Sequence, residues 1–139
     1  MTIIRDWNTE KVLHVRYVGE VSGQEYLESV LNFSGDARFD GLKYLIADWS
    51  EYSYAQAQSG EKDPEARFNE KDIEKAAAYT RAMAMTNPNI KLAMVLMKKS
   101  IGHRGAFATL FESLSEGISW EVASFNTLAE AKVWLGLEG

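Results

Sequence analysis

The chain of 139 residues contains no cysteine. That absence excludes disulfides, thiolate metal sites and a cysteine nucleophile. Histidine is almost as scarce. His14 and His103 are the only two, they fall on separate elements of the pattern described below, and no HExxH run or clustered carboxylate spacing accompanies them. No metal site and no cofactor are therefore expected. Basic residues are outnumbered, Lys+Arg 15 against Asp+Glu 20, for a formal net charge of -5. Broad binding to nucleic acid depends on Lys and Arg neutralising phosphates, so a nucleic-acid partner is not expected. No run approaches the roughly 20 apolar residues that span a bilayer. The opening MTIIRDWNTEKVLHVRYVGE also lacks an apolar segment of the secretory kind. The expectation is a cytoplasmic protein with no integral membrane segment.

What is present is a balanced globular composition, 46% hydrophobic and 25% charged. The length suits a single domain over 1–139 with one ordinary core. Thr2–Trp7 and Lys11–Val18 are rich in β-branched and aromatic residues and flank the polar Asn8-Thr9-Glu10, which predicts a hairpin. In the second strand Leu13, Val15 and Tyr17 alternate with His14 and Arg16, so His14 reads as a sheet residue on the exposed face. Ser22 followed by Glu25 has capping-box spacing. The helix it opens places Tyr26, Leu27, Val30 and Leu31 on one face. Gly35 and Gly41 bracket its exit loop, and Lys43–Trp49 (KYLIADW) reads as a short buried strand.

Residues 51–68 form a long loop or partly helical insertion, with Asp63-Pro64 patterned as a helix start. Asn69 with Asp72 opens an alanine-rich helix to about Met85, stopped by Asn87-Pro88. Ile90–Met97 is the most apolar strand and is expected at the centre. Gly102–Ser115 carries Phe107, Leu110, Phe111 and Leu114 at helical spacing. Trp120–Phe125 is the last strand, and Thr127 with Glu130 caps a final helix whose inward face is Leu128, Ala131, Trp134 and Leu135. Trp134 is expected to be a buried anchor. The order β-β-α-β-α-β-α-β-α predicts an α/β fold: a mostly parallel five-stranded sheet, four principal helices and an N-terminal antiparallel hairpin.

The runs GEVSGQEYLE, YLIADWSEY, NEKDIEKAAAYTRAMAMTNPNIKLAMVLM and WEVASFNTLAEAKVWL together resemble the SpoIIAA-like, or STAS-like, family. The strongest piece is F-x-T-x-x-E-A-x-x-W-L from Phe125 to Leu135, which is a structural signature. The resemblance runs from about Ile3 to Leu135 and points to a branch of small bacterial proteins. It implies the fold shared by sulfate transporter and anti-sigma factor antagonist domains and by Sec14-type (CRAL-TRIO) lipid carriers. In the antagonists a serine in an Asp-Ser-Ser-Gly type motif after the third strand is phosphorylated. Here Asp48-Trp49-Ser50-Glu51 stands instead, and that switch is not carried over to any residue.

Ligands of open α/β sheets gather at the carboxyl ends of the strands. These ends supply Gly19-Glu20, Asp48-Trp49-Ser50, Lys98-Lys99-Ser100 and Phe125-Asn126, with Gly102-His103-Arg104-Gly105 opening the next helix. A helix N-terminus beside cationic side chains suits a carboxylate or phosphate. The candidate ligand-binding residues are therefore Asp48, Trp49, Lys98, Lys99, His103 and Arg104, with Trp49 as an apolar wall or as packing under the insertion. A solvated basic loop is the plainer account of the same cations. Asp48, Ser50 and His103 contain the ingredients of a hydrolytic triad, but no G-x-S-x-G elbow frames Ser50, and no catalytic residue is assigned. Tyr52, Tyr54 and Phe68 would pin the insertion to the body, line a lid over an apolar pocket, or meet a second subunit. The function expected is a non-enzymatic STAS-like binding or regulatory module. The alternative is a carrier or sensor of a small amphiphile or anion, and an enzyme with an Asp/Ser/His site stands third. The partner is a protein or a small amphiphilic or anionic ligand, and a homodimer stays open.

Overall fold

The computed structural model describes residues 2–19, 23–51, 70–95 and 117–137. Five strands form one sheet in the order β1 (Thr2–Thr9), β2 (Val12–Val18), β3 (Tyr44–Asp48), β4 (Lys91–Val95) and β5 (Glu121–Phe125). β1 pairs antiparallel with β2, and every later pairing is parallel. The middle strand is therefore β3, and β4 is interior but one place to its side. The described helices are α1 (Gly23–Ser34), a 3-10 turn (Ala37–Gly41), α2 (Glu70–Thr86) and α3 (Leu128–Leu135). The expected helix over 102–115 and residues 52–68 of the expected 51–68 insertion, with Tyr52, Tyr54 and Phe68, lie outside the described residues.

Side chains alternate across a strand, so the parallel register sorts the sheet into two faces. One face carries Leu13, Val15, Tyr17, Leu45, Leu92 and Met94, and on it pack Tyr26, Leu27, Val30 and Phe33 of α1 with Ala76, Met83 and Ala84 of α2. The other carries Ile46, Ala93 and Val95, met by Ala131 and Leu135 of α3. His14, Arg16 and Asp48 share this second face by register, since Arg16 pairs with Asp48 and His14 with Ile46.

Several local expectations shift. The hairpin turn falls at Glu10-Lys11 rather than at Asn8–Glu10: β1 continues through an irregularity between Trp7 and Thr9, and the Lys11 N–H donates to Thr9 Oγ1 at 3.0 Å. Leu31 is 54% exposed, and Phe33 takes its place in the core. At about 100° per residue, Tyr26, Val30 and Phe33 cluster tightly, while Leu31 swings past the edge of that stripe. Trp134 is only partly buried. It packs on Phe125 with ring centroids 5.4 Å apart, and Lys91 Nζ lies 4.4 Å over its ring. The buried residues of α3 are Ala131 and Leu135, which stand four apart and so share the side of this short helix that meets Ile46, Ala93 and Val95.

Asn87 was legible only as a stop signal, yet it stitches three segments. Its Nδ2 donates to the Phe39 and Leu42 carbonyls, each at 2.8 Å, and its own carbonyl accepts from Trp120 Nε1 at 2.7 Å. The residue is buried, so these bonds satisfy groups that water does not reach.

Candidate functional site

The carboxyl end of β3 gathers the ionisable groups of the second face. His14 Nε2 meets Asp48 Oδ2 at 2.9 Å, and both side chains are buried. Asp48 Oδ1 accepts from the Ser50 backbone N–H at 3.0 Å and from Ser50 Oγ at 2.6 Å. One carboxylate thus joins a neighbouring strand to its own turn. Burial on its own would raise the Asp48 carboxyl, but the hydrogen bonds from His14 and from Ser50, side chain and backbone, outweigh it and hold it below the ordinary aspartate range. The chain leaving this turn is tied back to β2, where the Gly19 N–H donates to the Glu51 carbonyl at 2.9 Å and Arg16 Nη2 to Glu51 Oε1 at 2.7 Å. The Arg16–Glu51 pair is open to solvent and adds little stability.

The sequence read His14 as an exposed sheet residue, and this is corrected: only 8% of it is accessible. The overlooked signal was topological. A strand in the interior of a largely parallel sheet is covered on both faces, so the polar member of its alternation is driven to find a partner.

Trp49 turns the other way. Its backbone N–H donates to the Val95 carbonyl at 2.8 Å, and its ring enters the larger core, stacked on Tyr17 at 4.0 Å between centroids and 12° between planes. Tyr26 closes the cluster at 5.3 Å from Trp49. With 4% of its surface accessible, Trp49 is not available as a wall for an external ligand. Asp48 and Trp49, adjacent in sequence, therefore point to opposite faces of the sheet. Burial pushes the Tyr17 hydroxyl well above its ordinary range, with Tyr26 adding to the effect, and burial likewise raises Tyr26. Both phenols stay neutral and act as packing. Ser29 Oγ is buried near Tyr17 but makes no hydrogen bond of acceptable geometry among the described residues.

Beneath this cluster lies a cavity of about 20 Å³ walled by Tyr17, Tyr26, Val30, Trp49, Met83 and Met94 among others. That is room for one water, in surroundings too apolar to hold it strongly. A larger open groove of about 190 Å³ runs between the end of α1, the 3-10 turn and α2, past Leu31, Phe39, Tyr79 and Ala82.

Of the six expected ligand residues, Lys98, Lys99, His103 and Arg104 lie outside the described residues, and so does the third member of the Asp48, Ser50, His103 set. Among the described residues, the histidine brought to Asp48 is His14. Among the described residues no group of three His, Asp or Glu side chains is placed to hold a metal ion, and no helix is long and apolar enough to cross a membrane. Comparison of the chain with family models, with curated proteins and with solved structures gives no match.

Proposed function

We propose that the protein is a small, non-enzymatic, cytoplasmic STAS-like module that works by binding or regulation. The observation that carries this reading is the order of groups at the end of β3. In a hydrolytic triad the histidine stands between the carboxylate and the hydroxyl, taking the proton that the serine gives up. Here the carboxylate stands between, 2.9 Å from His14 and 2.6 Å from Ser50. Ser50 therefore donates to an aspartate whose lowered pKa makes it a weak base. The reactive residue types of this site are used to fix a turn, which supports the binding reading over the enzymatic one. The sheet, one antiparallel strand followed by four parallel strands in chain order, is in keeping with the STAS-like resemblance of the sequence.

The reading is tested by two measurements on the purified chain. Screening against activated carboxylic and phosphate esters is expected to show no turnover beyond that of the Ser50→Ala variant. Turnover that disappears in Ser50→Ala makes the protein an enzyme and overturns the proposal. Native mass spectrometry is expected to return the mass of the bare chain, and affinity capture from a native lysate to retain a protein partner. A stoichiometric small-molecule adduct would instead establish the carrier or sensor of an amphiphile or anion.

A further inference from the structure

We draw no further inference here: the strongest candidate, the apolar groove between α1, the 3-10 turn and α2 lined in part by the exposed Leu31, is an unpartnered surface, and nothing in the structure shows what covers it.

Discussion

Asp48 accepts hydrogen bonds from His14 on β2 and from Ser50 in its own turn, and it does so while buried. Truncation to alanine leaves the buried His14 and the part-buried Ser50 without their acceptor, and removing the acceptor of several such hydrogen bonds costs about 2–3 kcal/mol. Asp48→Ala is therefore expected to lower the unfolding free energy by about that amount in urea titrations near neutral pH. The pH dependence has a definite sign. The folded pKa of Asp48 is depressed, so its stabilisation is present above the unfolded aspartate value of about 3.9 and is lost as pH falls through the lower folded value. The gap between wild type and Asp48→Ala should narrow on acidification below about pH 4. A gap that stays constant down to the acid unfolding of the wild type would show that Asp48 is not held by ionic hydrogen bonds. The sequence exposed half of this site. Asp48 and Ser50 stand two apart at a strand end, where the chemistry of an Asx-type turn is local and readable. His14 lies 34 residues from Asp48, and nothing in local spacing announces a contact that only strand register creates.

At the scale of elements, the ends matter more than the middles. A helix as short as α3 is marginal in isolation and depends on its caps and its docking. Thr127 Oγ1 accepts from the Glu130 N–H at 3.2 Å, Glu130 Oε1 accepts from the Asn126 N–H at 3.2 Å, and Gly136 closes the helix at φ 76 with Leu137 N–H donating to the Lys132 carbonyl at 2.8 Å. Thr127→Ala should cost about 1 kcal/mol while Thr127→Ser retains most of the stability, because only the acceptor oxygen is at stake. Equal losses in the two variants, read from chemical denaturation, would mean that packing of the threonine methyl and not the cap is responsible. This cap was readable because its partners are three residues apart. The end of α2 shows the opposite case. Asn87 reaches Phe39 over 48 positions, and Pro88 signals only that the helix must stop. Asn87→Ala strips donors from two buried carbonyls and an expected loss of about 2–3 kcal/mol follows. A near-neutral result in a thermal or urea melt would show that water replaces the amide there. Helical periodicity was likewise sufficient to place α1 and insufficient to choose Phe33 over Leu31 for its core, since Leu27 and Leu31 extend the apolar stripe on one side and Phe33 on the other until a neighbouring helix fixes its rotation.

Among the described residues, the two faces of the sheet carry clusters of unequal size. α1 and α2 join strands β2, β3 and β4 in a core that includes Tyr17, Tyr26, Phe33, Phe39, Trp49 and Trp120. On the opposite face, the described residues buried in the cluster beneath α3 are Ile46, Ala93, Val95, Ala131 and Leu135, edged by partly buried Phe125 and Trp134. Two tryptophans report on this asymmetry. Trp49 is 4% exposed and makes aromatic contacts on two sides, whereas Trp134 is partly open and holds Lys91 over its ring at 4.4 Å. Truncating a fully buried aromatic costs about 3–5 kcal/mol through lost transfer energy and the cavity left behind. A half-buried ring loses less area and leaves a space that solvent can fill, so about 1–2 kcal/mol is expected for Trp134→Ala, including its cation–π contact. Trp49→Ala should thus be the more damaging change by a clear margin, although Trp134 belongs to the terminal motif that stood out most in the sequence. Lys91→Met removes the ammonium from the ring together with its 3.3 Å hydrogen bond to the Trp134 carbonyl while keeping an apolar neighbour, and the change should cost about 1–2 kcal/mol. Unfolding free energies of the three variants decide the matter. If Trp134→Ala destabilises as strongly as Trp49→Ala, α3 is docked more tightly than its burial indicates, and the smaller face is a second core in its own right.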